Sequence, residues 1–164
     1  MITIRDMTVD DAEVVSGIYA GSWRKTYKAL MTPEALEAEI AKRFSAELQA
    51  AEAANPDILT IVAVEDGTIV GVSSASMDAR HQAWIDRMHV VPKHQGKGVS
   101  ERLLTATLAK HSGLQSIALK VLEGNKRAIG FYKKHGFSKT DVVKDDPNVG
   151  GATTVIMSRT LPRG

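Results

Sequence analysis

The sequence predicts an α+β domain built around a mixed sheet. Three observations predict it. Short β-branched runs alternate with longer segments of helical period along the whole chain. Asp66-Gly67 sits between two strand-like runs, the signal of a two-residue hairpin and hence of antiparallel neighbours. A single strand–helix–strand passage from Trp84 to Leu122 adds one crossover.

The elements follow in order. Ile2 and Ile4 alternate with Thr3 and Arg5 as a first strand. Asp10 and Asp11 open a helix from Ala12 to about Lys28, where Val14, Val15, Ile18, Tyr19 and Trp23 recur at helical spacing and the acids favour the dipole. Thr32 caps a second helix with Pro33 at its first position; Ala35, Leu36, Ile40, Phe44 and Leu48 form its apolar stripe, and Asn55-Pro56 ends it. Ile58 to Val64 and Thr68 to Ala75 are the hairpin strands, and Trp84 to Val91 is the next strand. Val99, Leu103, Leu104, Thr107 and Leu108 mark a helix to about His111 with Gly113 beyond it. Ile117 to Leu122 is a strand. Asn125 caps a helix through Lys134 that Gly136 terminates, and Phe137 to Val143 with Thr153 to Arg159 close the chain as antiparallel strands.

Composition narrows the function. The 164 residues fit one domain, residues 1–164, with 43% hydrophobic and 24% charged residues as in an ordinary globular protein. The net charge of +2 is too weak to argue for nucleic acid. With no Cys, disulfides, thiolate metal sites and thiol nucleophiles are excluded, and a cytoplasmic location is expected. No basic segment followed by an apolar run opens the chain and no long apolar run occurs, so neither export nor membrane spanning is expected.

The segment from Val90 to Ser100 leads from a strand through a glycine turn into an amphipathic helix. The first amides of such a helix lack intrahelical partners and carry the positive end of the dipole, so they suit a phosphate. Gly96 and Gly98 allow backbone to approach a ligand, and Lys93 and Lys97 add charge. A Walker loop is excluded, because G-x-x-x-x-G-K-[ST] is absent. The dinucleotide fingerprint G-x-G-x-x-G fits at Gly96 and Gly98, with Glu123 placed to grip a ribose, but its third glycine is Glu101.

Coenzyme A is the third candidate. The run Val90-Val91-Pro92, then Gln95, Gly96, Lys97, Gly98, Val99 and Ser100, resembles the Q/R-x-x-G-x-G/A motif of the GNAT N-acetyltransferase superfamily, with Ser100 in place of a final Gly or Ala. Asn125, Ala128, Tyr132, Gly136 and Phe137 resemble that superfamily's later motif, N-x-x-A-x-x-x-Y-x-x-x-G-F. The resemblance covers roughly residues 1 to 160. It implies the GNAT fold, a central mixed and mostly antiparallel sheet of about seven strands flanked by about four helices. It also implies transfer of an acetyl group from acetyl-CoA to a primary amine, expected to belong to a small molecule and to attack directly in a ternary complex. Protein N-terminal or lysine acetylation, and a non-catalytic CoA-binding sensor or interaction module, are the alternatives. A homodimer is a further expectation from the family; no metal, nucleic acid or membrane partner is implied.

The reaction sets requirements. At pH 7 fewer than about one alkylammonium in a thousand is neutral and able to attack. A base or water chain must take the proton, and a donor must meet the departing thiolate. The resemblance assigns the donor to Tyr132. Asp86 is the candidate base; His89, three residues further along the strand, falls on the opposite face. His81 and Glu123 are lesser candidates. The backbone of Met88, His89 and Val90 is expected to pair with the pantetheine arm, Gln95 to Ser100 to hold the pyrophosphate, and Asn125 to cap its helix and touch the arm. Trp23, Tyr27 and Trp84 offer π faces to an ammonium acceptor. The W-x-x-x-Y of Trp23 and Tyr27 resembles GNAT members that acetylate polyamines and other small amines. In the branch acting on protein N-termini the strand before the second motif reads L-E-V. Here it reads Leu119-Lys120-Val121.

Overall fold

A computed structural model describes residues 1–162. The elements are β1 (Ile2–Asp6), α1 (Ala12–Tyr27), α2 (Pro33–Phe44), α3 (Ala46–Ala54), β2 (Ile58–Glu65), β3 (Thr68–Met77), β4 (Ala83–Val90), α4 (Val99–Lys110), β5 (Ser116–Leu122), α5 (Lys126–Lys134), β6 (Ser138–Asp146) and β7 (Ala152–Thr160). The seven strands form one sheet in the order β1-β2-β3-β4-β5-β7-β6, mixed because β4 and β5 are parallel. The class and strand count agree with the sequence pattern. Residues group into two compact units, Met1–Ala75 with Arg87–Thr107, and Ser76–Asp86 with the chain from Leu108 onward.

In the first unit β1 lies antiparallel to β2, with Ile2 opposite Glu65 and Asp6 opposite Ile61. Ile61, Ala63, Val70, Val99 and Leu103 form a core cluster, so α4 is seated by its own apolar face on β2 and β3. Strand β3 is buried almost throughout, and its buried hydroxyls are paired: Ser73 with Thr107 at 3.0 Å and Ser74 with Thr60 at 3.3 Å. The helix expected after Thr32 is in fact two. Thr32 Oγ1 accepts the Ala35 amide as expected, but Ser45 is extended (φ −57°, ψ 154°) and its hydroxyl accepts the Leu48 amide, starting α3 afresh. The break turns Leu48 outward, 41% exposed, and Val14 of α1 is likewise exposed; neither belongs to the buried stripes read from periodicity. The acids before α1 form a short 3-10 turn. Its Asp11 carboxylate accepts Arg5 (2.7 and 3.0 Å) and the Thr8 amide (2.8 Å), which hold it at about 2 despite the opposing cost of burial.

In the second unit β4 pairs with β5 over Ala83–Ile85 against Ile117–Leu119. Strand β7 lies antiparallel to both β5 and β6, and the β6 register shifts twice, between Lys139 and Asp141 and between Val143 and Asp146. Ile117, Ala118, Leu119, Val155 and Met157 are buried, whereas β6 carries Lys139, Asp141, Lys144 and Asp145 on an exposed edge that resists pairing with another chain. Helix α5 begins where Asn125 Oδ1 accepts the Ala128 amide (3.1 Å), and Gly136 beyond its end adopts φ +88°. Among the described residues no helix is long and apolar enough to cross a membrane.

Candidate functional site

In the first unit, β4 runs into a short 3-10 turn at Pro92–His94 and then through Gln95–Gly98 into α4. Val91 donates its amide to Val70 O (2.9 Å), and Gln95 returns its side-chain amide to Val90 O (3.1 Å), so the turn is tied to the end of its own strand. Gly96 and Gly98 have φ +76° and +82°, a conformation that a side chain disfavours. A Cβ at either position meets nothing within 4 Å. Backbone at the head of α4 is therefore open, where amides without helical partners concentrate positive potential. Val99 is buried and pins the helix start, Ser100 is partly buried, and Lys93 and Lys97 are exposed beside the turn. These residues fit a pyrophosphate: small, positively biased and unobstructed. Met88, His89 and Val90 lie beyond the Ile85–Leu119 end of the parallel register, on the strand that leads into the turn.

The same unit assembles a polar cluster behind β4. His89 Nδ1 lies 2.8 Å from Ser22 Oγ, and its ring meets Tyr19 edge-on at 5.4 Å. Arg87 bonds Glu52 Oε1 at 2.6 Å, with its guanidinium 5.0 Å from the Tyr19 ring centre and 5.6 Å from that of Phe44. Burial first, and the Arg87 charge second, lower the His89 imidazole to about 4, so it is neutral at pH 7. Sequence reading did not find Ser22, Glu52 or Arg87. Only the Tyr19–Ser22 spacing, three residues on one helix face, hinted at a shared role.

Two of the aromatic candidates are occupied by protein. Tyr27 is buried in the core, and Trp23 lies tilted against it at 4.3 Å and edge-on to Phe44 at 5.3 Å. Arg43 lies over the Trp23 ring at 5.0 Å, the position expected for an ammonium substrate. Packing thus accounts for the W-x-x-x-Y pair: residues four apart on α1 lie against each other, and Trp23 also meets Phe44 of α2.

In the second unit Tyr132 stands on α5, edge-on to Phe131 at 5.3 Å and to Phe137 at 5.5 Å. Burial pushes its phenol up to about 12, so it keeps its proton at any working pH. Asn125 spends its carbonyl on the helix cap, the plain structural role. Asp86 is exposed and accepts the Ser76 hydroxyl at 2.6 Å. Trp84 donates its indole N–H to Asp78 Oδ2 (2.9 Å), and Asp78 Oδ1 gathers the Arg80 and Gln82 amides, which orders the loop in which His81 adopts φ +61°. Lys120 reaches Asp146, a buried carboxylate that also accepts Thr154, at 3.6 Å.

A family model described as the acetyltransferase (GNAT) family matches residues 21–137. Spermidine N(1)-acetyltransferase of Thermoplasma acidophilum is 28% identical over 151 residues, 88% of this chain and 93% of that protein. Among solved structures, the PaiA N-acetyltransferase of the same organism, in complex with coenzyme A, superposes with a TM-score of 0.82 at 26% identity, covering 98% of this chain and 99% of that one. The ribosomal-protein-S18-alanine N-acetyltransferase of Escherichia coli superposes with a TM-score of 0.74 over 100% of this chain and 96% of that one. At 16% identity it shares the fold alone.

Proposed function

The chain belongs to the GNAT acetyltransferase family and is an acetyl-CoA-dependent N-acetyltransferase; we propose that its acceptor is the primary amine of a small molecule, with polyamines the leading class. The observation that carries the cofactor half is the open glycine turn at the head of α4, where Gly96 and Gly98 leave backbone uncovered. The acceptor half is supported by 28% identity, across 88% of this chain, to a spermidine N(1)-acetyltransferase.

Acetyl-CoA supplies an acyl group activated as a thioester. The chain's own residues then have four tasks. Gln95, Gly96, Lys97, Gly98, Val99 and Ser100 hold the pyrophosphate, and the backbone of Met88, His89 and Val90 aligns the pantetheine arm, with Asn125 at the start of α5 as a further contact. Tyr132 presents its O–H to the sulfur that leaves when the amine nitrogen bonds to the acetyl carbon. A phenol at about 12 is suited to that donor role, because it is never spent as phenolate. Asp86, exposed to water, passes the amine's proton to solvent. Trp84 is the aromatic candidate whose face remains for an ammonium acceptor, because Trp23 and Tyr27 are taken up by packing and by Arg43. With no Cys in the chain, a cysteinyl acyl-enzyme is impossible, which makes direct attack by the amine in a ternary complex the default mechanism.

The test is a panel of polyamines, amino acids, aminoglycosides and peptides with free N-termini, followed by CoA release. Turnover of polyamines above all peptides is the expected result. Preference for an N-terminal peptide would overturn it, and would require Lys120, paired with Asp146, to stand where that branch carries Glu.

A further inference from the structure

His94, the last residue of the short 3-10 turn before the glycines, bonds through Nε2 to Glu65 Oε2 at 2.5 Å. The side chains are 20% and 35% exposed. Neither residue belongs to a sequence motif, and 29 positions separate them. Glu65 is a rigid anchor. It ends β2, pairs across to Ile2 of β1, and is followed by the Asp66-Gly67 turn, in which both residues have positive φ. His94 is embedded in the turn: its amide donates to Val91 O at 2.9 Å, and Gln95 next to it is bonded to Pro92 O and Val90 O. The Glu65 carboxyl is held below its ordinary value, chiefly by the His94 hydrogen bond, with the charges of His94, the chain's amino terminus and Lys97 adding to it. One carboxylate therefore lies beside the His94 ring and the Lys97 ammonium, in a turn that has to receive an anion.

That placement is unfavourable on charge alone. An acid near a pyrophosphate site repels the ligand and competes for Lys97. Its value must lie in geometry. Gly96 and Gly98 supply the backbone freedom the turn needs, and the same freedom enlarges the set of shapes it can adopt without a ligand. A tether from the middle of the turn to a paired strand removes many of them before the ligand arrives.

We infer that Glu65 is a positioning residue for the cofactor: by holding His94, it keeps the backbone from Pro92 to Gly98 in the shape that receives the pyrophosphate of acetyl-CoA. This rests on the assignment of Gln95–Ser100 as the pyrophosphate cradle.

The experiment separates reach from charge. Glu65→Gln keeps an oxygen for His94 and removes the charge; Glu65→Asp keeps the charge and withdraws the oxygen by one methylene. The tether predicts an acetyl-CoA KM near the wild-type value in Glu65→Gln and raised on the order of tenfold in Glu65→Asp, with kcat at saturation within about twofold and the acceptor KM unchanged. A purely electrostatic role predicts the reverse order, a lowered KM in Glu65→Gln and none of the rise in Glu65→Asp, and that pattern overturns the inference. His94→Ala should match Glu65→Ala, and the double variant should be no worse than the more damaging single one; additive increases also overturn it. Gly98→Val tests the cradle separately. If it raises the acetyl-CoA KM while Glu65→Asp and His94→Ala do not, the tether is wrong and the cradle stands. If Gly98→Val leaves KM unchanged, the cradle assignment fails and takes the tether with it.

Discussion

A Cβ placed on Gly71 of β3 would stand 3.2 Å from the carbonyl oxygen of His89 on β4. The same atom would meet Leu103 Cδ1 at 3.0 Å and Val99 Cγ1 at 3.2 Å. Glycine at this position is thus what lets the first turn of α4 settle onto the sheet beside the strand that feeds the glycine turn.

Gly71→Ala is therefore expected to destabilise the fold by about 1 to 3 kcal/mol, the range for overpacking a close-fitted core. The two side chains can shift, but the carbonyl belongs to a paired strand. Because Val99 is the first residue of α4, the acetyl-CoA KM should rise as well. Urea unfolding and steady-state kinetics on one preparation check both. A midpoint equal to wild type would show that β3 yields without cost.

His89 carries a pH signature. Its imidazole is held at about 4, below the 6.5 of an exposed His, by burial first and by Arg87 second. Between those values the unfolded chain binds a proton that the native chain refuses, so stability rises with pH across the window and falls on acidification. The full effect, reached below about pH 4, is up to about 3 kcal/mol. Asp11 acts in a lower window: its folded value of about 2 lies below 3.8, so its contribution is complete above 3.8 and lost as pH falls through 2. Denaturant unfolding from pH 7 to 4.5 should show a steeper loss for wild type than for His89→Gln. Parallel slopes would exclude the imidazole as the source.

Tyr132→Phe removes the only hydroxyl at the motif position while leaving the ring contacts with Phe131 and Phe137 intact. Single-turnover acetyl transfer is expected to slow on the order of a hundredfold, with acetyl-CoA affinity within about threefold. With the phenol pushed up to about 12, the wild-type rate should show no alkaline limb from this group below about pH 10. An unchanged single-turnover rate would remove Tyr132 from the chemistry.

Glu52 and Arg87 make a largely shielded ion pair whose second carboxylate oxygen is buried without a hydrogen-bond partner among the described residues. Breaking one side leaves a charge stranded, so Glu52→Ala or Arg87→Ala is expected to cost about 2 to 4 kcal/mol. Replacing both with apolar residues, Glu52→Leu with Arg87→Met, should recover much of that loss. In that double variant the His89 imidazole, freed of the Arg87 charge, should titrate higher than in wild type, which NMR of the ring protons would show.

Local patterns were legible because they are local physics. The hairpin at Asp66-Gly67, the caps at Thr32 and Asn125, and the positive φ at Gly96, Gly98 and Gly136 each depend on a few neighbouring residues, and each lies where the residue types place it. The Ser45 break was equally local but was masked by an apolar period that ran through it. Its cap is a Ser three residues ahead of Leu48, whose amide the hydroxyl accepts.

What the sequence determined by itself was the α+β order, the seven strands and the two motifs that place the chain among the acetyltransferases. Only the tertiary structure decided that Arg43 covers Trp23, that Ser22 meets His89, that Arg87 answers Glu52 and that Glu65 holds His94. The reason is range. A cap or a glycine turn is settled by backbone sterics within a few residues, whereas these pairs join groups 20 to 67 positions apart, brought together only when strands register and helices pack.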